Sequence, residues 1–381
     1  MRRPVRVPGR VITTWLAALC AWQAATAAAQ PASGADAAHA ARTTQPSPGA
    51  GRPLIAAAAG GDDDVTRSVL VGPGGQVYEP ATPGTWQRRF GGGIGPSVVG
   101  ATFAGQATLF AHGEAAPLFR LEGTVWHAQP LPNRGPCALG RGPVAALAIG
   151  RHVYTWRDSG WTRLGSVAGV VTAVWAATPT RAYAATAQGG LWRLQGGAAT
   201  AVPTPARAEN DPVVLLTGPA RAPLHGVTRG GAVLRIGERI TLVGADPALA
   251  GWVAQVAAVD ASGALWALGW IPASAGAPAQ AVLARTQGNM LKVMETLAGL
   301  APGERFIALL LDRAGGVLWA TESGILRYRP GRAASAPAGN ADAGGAAAPD
   351  STGTGWRDGQ ILDELPRSSP AFPGRGPARA R

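Results

Sequence analysis

Residues 306–329 read FIALLLDRAGGVLWATESGILRYR, and this stretch decides the fold. Residues 306–311 are an unbroken apolar run of strand length, as expected of a strand buried on both faces. Asp312, Gly315 and Gly316 then supply turn residues, and Val317, Leu318 and Trp319 begin a second strand. Ser323 and Gly324 mark a second reversal before a third strand at residues 325–328. Three short strands joined by tight turns form a meander. Alone, a meander leaves one apolar face wet, so copies of it have to stack or pack around an axis.

The copies are present. One template, a Thr, a Gly turn, two apolar residues and an Arg, appears as TESGILRY at 321–328, TAQGGLWRL at 186–194 and TRGGAVLRI at 228–236. Shorter copies end at Arg120, Arg157 and Arg285, and Val77 with Tyr78 form a first one. With 78, 120, 157, 193, 235, 285 and 327 as markers, neighbours lie 36 to 50 residues apart. That is the length of a four-stranded blade. The chain is therefore expected to be all-β, a β-propeller of about seven four-stranded blades over residues 65–330. Trp86, Trp126, Trp161 and the aliphatic clusters at 240–243 and 291–294 fall where outer strands belong. Aromatics at that spacing wedge between blades, each worth ~1.5–3 kcal/mol when fully buried.

The turn before the Trp recurs as well: Asp260, Gly263, Leu265 and Trp266 echo Asp312 to Trp319 with one residue fewer. The pattern D-x-x-G-x-L-W-x-x-T-x-x-G-I-L-R-Y over 312–328 resembles the repeat of the two-component-regulator type of bacterial β-propeller. Residues 77–86 and 153–161, each ending in a Trp near a Gly, resemble degenerate sialidase-type repeats of photosystem-assembly-factor-like propellers. These families include sensors, assembly factors and carbohydrate enzymes, so the resemblance implies a fold and no single activity.

Arg2, Arg3, Arg6 and Arg10 precede an apolar segment ending in small residues, which reads as a signal peptide over 1–29. Its apolar run is shorter than the ~20 residues of a spanning helix, and no second long apolar segment follows, so no stable membrane insertion is expected. A periplasmic or secreted location follows from the signal. Residues 30–64 read as a flexible leader rich in Ala, Pro, Gly, Ser and Thr. Within it Asp62, Asp63 and Asp64 lack the spaced ligands of a calcium loop and read as a solvated run. Residues 331–353 form an Ala, Gly and Pro linker, and 366–381 a disordered tail. Two segments compete for the missing outer strand of the last blade: residues 53–58, and residues 354–365, where Trp356 imitates the outer-strand Trp of earlier blades. The second is favoured.

The formal charge of +12 falls to +8 once the four signal arginines leave, and Lys292 is the only lysine. These arginines are scattered at repeat positions rather than blocked with aromatics, so no nucleic-acid partner is expected. Cys137 is the one cysteine beyond the signal, which excludes an intramolecular disulfide, and no neighbouring base makes it a nucleophile. The histidines, His39, His112, His127, His152 and His225, include no H-x-H or H-x-x-H pair. Neither a metal nor a cofactor is expected. Asp158, Asp211, Asp246, Asp260 and Asp312 lie at turns, where bonding to the backbone explains them.

Two functions remain open. One is an exported, non-catalytic, monomeric propeller that binds a protein or an envelope polymer. The other is a hydrolase or lyase with its site at the central channel, drawing on His112, His152, His225 and Glu322, which requires at least three of these to converge.

Overall fold

The computed structural model describes Leu54, residues 56–59, 68–82, 84–93, 98–104, 108–113, 118–140, 142–205, 211–219, 223–274, 277–312, 315–331 and 355–362. The signal segment, residues 62–64, His39 and the tail after 362 lie outside the described residues.

Twenty-nine described strands make seven blades. Blade one holds β1 (Ala56–Ala59), β2 (Ser68–Val71), β3 (Gln76–Thr82) and β4 (Thr85–Gly91). Blade two holds β5 (Val98–Ala104), β6 (Thr108–Gly113), β7 (Leu118–Glu122) and β8 (Val125–Gln129). Blade three holds β9 (Cys137–Gly140), β10 (Ala146–Ile149), β11 (His152–Arg157) and β12 (Gly160–Ser166). Blade four holds β13 (Val171–Thr178), β14 (Arg181–Thr186), β15 (Leu191–Gln195) and β16 (Ala198–Val202). Blade five holds β17 (Val213–Thr217), β18 (Leu224–Thr228), β19 (Val233–Ile236) and β20 (Ile240–Ala245). Blade six holds β21 (Val253–Val259), β22 (Leu265–Ile271), β23 (Gln280–Gln287) and β24 (Met290–Leu297). Blade seven holds β25 (Phe306–Leu311), β26 (Val317–Thr321), β27 (Leu326–Arg329) and β28 (Arg357–Asp358), and β29 (Gln360–Leu362) pairs parallel to β4.

Within each blade neighbouring strands are antiparallel. All seven sequence markers fall on the third strand of their blade. In five blades the marker arginine sits opposite a ring: Phe110 faces Arg120, Tyr183 faces Arg193, His225 faces Arg235, Trp266 faces Arg285 and Trp319 faces Arg327. A flat guanidinium covers an aromatic face well, and the Arg285 guanidinium lies 5.0 Å from the Trp266 centroid.

The Thr template is a turn device. The hydroxyls of Thr186, Thr228 and Thr321 each accept the amide four residues on, at 3.1, 2.9 and 3.2 Å. Each turn needs positive φ at its third residue beyond the Thr, supplied by Gly189, Gly231 and Gly324. These second-to-third-strand turns share one end of the blades with the connections between blades, because successive strands alternate direction. That end is called the front face below. Asp260 and Asp312 cap the turns at the opposite end: Asp260 Oδ1 accepts the Ser262 and Ala264 amides, and Asp312 Oδ1 the Gly316 amide.

Seven apolar clusters among the described residues fill the seven seams between blades. Trp86 packs with Leu318, Leu326 and Tyr328 between blades one and seven. Trp126 reaches from blade two to donate to the Gly75 carbonyl of blade one at 2.8 Å. Phe110, Trp156 and Trp161 stack edge to face or tilted between blades two and three, with centroids 4.7 to 5.3 Å apart. The innermost strands touch in a ring, β1 meeting both β5 and β25.

Closure draws on both ends of the chain. Residues 56–59, read by composition as part of the leader, are the innermost strand of blade one, and the Leu54 amide bonds to the Glu322 carbonyl of blade seven. Alanine has a poor strand propensity, so this strand depends on its pairing with β2. The outer strand of blade seven comes from Arg357–Asp358, and one residue later the chain crosses to β4 of blade one. Trp356 anchors this segment. It is 5% exposed, packs on Trp319 at 5.9 Å, donates to Glu295 Oε1 at 2.6 Å and lies under the Arg329 guanidinium at 4.6 Å. Arg329 in turn pairs with Glu295 at 3.0 Å.

Candidate functional site

The four residues considered for catalysis stand on four blades. His112, on β6 of blade two, has its ring against Gly100, where a Cβ would come within 2.8 Å of Nε2. His152 begins β11 of blade three and lies 2.8 Å from the Ser166 hydroxyl. Glu322, in the front-face turn of blade seven, pairs with Arg305 at 3.9 Å. His225, on β18 of blade five, is fully buried with both ring nitrogens lacking a partner among the described residues. Burial and the charge of Arg235 lower its pKa to about 4, against a pull upward from the Pro223 carbonyl. No group of three His, Cys, Asp or Glu side chains suited to a metal gathers among the described residues. Cys137 is half-buried, its thiol 3.6 Å from the Gly135 carbonyl, and burial raises its pKa, so the thiolate that a nucleophile needs is disfavoured.

Among the described residues, an opening lies at the outer edge of blade seven. The other six outer strands run five to eight residues; β28 has two. Gly359 bonds its amide to the Leu326 carbonyl at 2.9 Å, Gln360 then bonds to Gly84 of blade one, and the chain has left the blade. What remains is a notch of about 670 Å³. The blade-six connection at Ala298, Gly299 and Leu300 forms one wall, and Asp358 to Leu362 the other. Trp319, Ile325, Leu326 and Arg327 form its floor. Trp319 Nε1 has no hydrogen-bond partner among the described residues, Leu362 is 43% exposed, and Arg327 pairs with Asp358 at 2.7 Å at the side of the notch. A largely apolar floor with a few polar groups and a short strand edge suits an extended chain that lays side chains into pockets and backbone along the edge.

Sequence reasoning placed Trp319 on a second strand and Trp356 on a closing outer strand, and did not find the notch. Its signal was present in the 27 residues separating Arg329 from Arg357, a gap no other outer strand shows.

No family model matches the chain, and no curated protein matches it in sequence. Solved structures do match in fold. YCF48 from Cyanidioschyzon merolae is 15% identical over 72% of this chain and 94% of its own, with a TM-score of 0.52. YCF48 bound to D1 peptide is 17% identical, covering 74% and 92%, with a TM-score of 0.50. The WD40 β-propeller domain of Doa1 is 10% identical, covering 73% and 92%, with a TM-score of 0.53. At such identities the likeness is one of fold, and the fold of this chain is the β-propeller.

Proposed function

We propose that this chain is an exported, non-catalytic propeller that binds a protein, and that an extended segment of that protein lies in the notch of blade seven. The observation that carries the reading is the two-residue outer strand with a notch of mixed polar and apolar lining beside it, where six other blades have a full strand. A partner segment there would supply the contacts the blade lacks, by strand addition and by burial of side chains against Ile325, Leu300 and Leu362. YCF48, a propeller of similar fold, has been solved with a peptide bound, so the fold is compatible with such a ligand. The distribution of His112, His152, His225 and Glu322 over four blades favours binding over hydrolysis or lyase chemistry at the channel.

Export rests on the basic, then apolar, then small-residue pattern of residues 1–29, and it implies a periplasmic or secreted site of action for a monomeric propeller. The reading also takes blades six and seven as repeats of the two-component-regulator type, and the shared Asp-capped turns at Asp260 and Asp312 support it. No helix among the described residues is long and apolar enough to cross a membrane.

The test is photocrosslinking in intact cells from a reactive residue at position 362, with position 125 as control. Val125 is also an exposed apolar residue, 53% exposed, on blade two. The reading expects one partner joined at 362 and not at 125, through a short segment whose synthetic peptide then binds the purified chain. Equal adducts at both positions, or a peptide that binds Leu362→Asp as well as the parent, would contradict it.

A further inference from the structure

On the front face, the seam between blades two and three carries a cationic cluster without a counterion among the described residues. Gly150 and Arg151 make the turn between β10 and β11. Three backbone bonds fix that turn: Gly150 N–H to the Pro136 carbonyl at 2.8 Å, Val167 N–H to Arg151 at 3.0 Å, and Val171 N–H to Gly150 at 2.8 Å. His152 opens β11 directly opposite Ser166, the last residue of β12. A register shift between Val153 and Tyr154 sets Arg163 opposite Tyr154, so Arg163, Ser166 and His152 share one side of the blade.

Two hydrogen bonds tie three side chains together. Arg163 donates to Ser166 Oγ at 2.5 Å, and Ser166 Oγ lies 2.8 Å from His152 Nδ1. A guanidinium only donates, so the hydroxyl accepts from it, and its proton and second lone pair let it bond Nδ1 in either sense. His152 Nε2 has no partner among the described residues, and in the imidazolium it is an N–H donor. Arg151 and Arg163 make no salt bridge among the described residues, and neither does exposed Arg134 on the loop beside Gly150. Over residues 123–205 the only carboxylate is Asp158, at the opposite end of β11. Cationic donors with no acid beside them among the described residues suit an anion that arrives from outside.

We propose that Arg151, Arg163 and His152 form a binding site for an oxyanion of the phosphate class, with the guanidinium groups and the His152 Nε2–H as its donors. Guanidinium forks match tetrahedral oxyanions, and Ser166 holds one fork and the imidazole in register before the ligand arrives. Binding also takes up a proton. Burial and then the charges of Arg163 and Arg151 hold the His152 pKa below its ordinary value, with Arg134 the one other charged group on the adjoining loop and no described carboxylate opposing them. An anion that neutralises those charges favours the His152 imidazolium, so binding is coupled to proton uptake at that ring. This site is separate from the notch of blade seven and does not depend on a protein partner.

The test is calorimetric titration of inorganic phosphate into the full chain at fixed ionic strength, in buffers of different ionisation enthalpy. A second arm measures sedimentation with phosphatidylcholine vesicles containing phosphatidylglycerol. The expected result is saturable one-to-one binding with proton uptake, weakened at least tenfold by Arg163→Gln and by Arg151→Gln. It should be unchanged by Arg181→Gln, an exposed arginine on the other face. Binding of free phosphate identifies a small ester or ion as the ligand, and the same arginine dependence with vesicles alone identifies a lipid phosphate. No saturable binding in either arm overturns the proposal. Equal losses from the Arg163 and Arg181 variants overturn it as well, because they mark diffuse charge attraction. Unchanged melting temperatures confirm that the variants fold.

Discussion

Blades three and four share a strand plan with blades six and seven and differ in charge chemistry. Across residues 253–329 six basic residues meet five acidic ones, whereas across residues 137–202 six arginines meet only Asp158. In blades six and seven the arginines are engaged: Arg285 with Asp260 at 2.7 Å, Arg329 with Glu295 at 3.0 Å, Arg327 with Asp358 at 2.7 Å. Each of these pairs ties a turn or the closing segment to the blade. In blades three and four the arginines at 151, 157, 163, 181 and 193 make no salt bridge among the described residues. One part of the ring uses arginine to hold itself together. The other part leaves arginine available to solvent and ligands.

The comparison can be broken most forcefully at the closing segment. Trp356→Ala is expected to cost about 3–5 kcal/mol in urea unfolding, since it empties a seam and removes the partner of Glu295 and Arg329. Deleting residues 354–381 should cost at least as much and expose the β4 edge. An unchanged melting curve for the deletion would show that the ring closes without this segment.

A second effect of similar size depends on pH. His225 is held neutral in the fold, with a pKa of about 4 against an ordinary 6.5. The unfolded chain takes up the proton first as pH falls. Stability from this group is therefore intact above pH 6.5, declines between 6.5 and 4, and falls no further below that. The shift corresponds to roughly 3 kcal/mol in all. His225→Leu should flatten the decline measured by urea midpoints at pH 7 and 4.5, and a variant with the parent's slope would assign the loss to other groups.

The paired and unpaired arginines give the direct contrast. Burial opposes ionisation of Asp260, but bonds from Ser262, Trp266 and Arg285 outweigh it and hold its pKa below the ordinary value. Asp260→Asn should cost about 1–3 kcal/mol at pH 7, and the difference from the parent should vanish as pH falls through the folded pKa of the carboxyl. Arg163→Gln, in contrast, should change stability by less than about 0.5 kcal/mol. A large loss from the second substitution would mean that blade three also depends on its arginines for structure.

Much of this fold was legible because the repeat is local. The Thr turn, the Gly at positive φ and the strand after it lie within nine residues, and each marker from Tyr78 to Arg327 falls on a third strand. The outer-strand tryptophans Trp86 and Trp126 were equally readable, since a large ring at a fixed distance from a Gly turn has one dry place to go. What could not be read depends on contacts distant in sequence. β1 is four alanines, whose strand character comes from pairing with β2, and β29 joins β4 across more than 270 residues in a parallel pair with no local signature. The candidate sites were half visible. His152 stood out as a histidine, but its companions Arg163 and Ser166 are set by a register shift that composition does not mark. Trp319 was legible as a strand residue, and the notch it floors exists only because the chain departs at Gly359.

The most direct test of the account is amide hydrogen exchange on the full chain with and without the partner segment identified by crosslinking. The account predicts slowed exchange confined to residues 324–327 and 357–362, the floor and wall of the blade-seven notch. Protection centred instead on residues 150–166, or spread evenly around the front face, would contradict it.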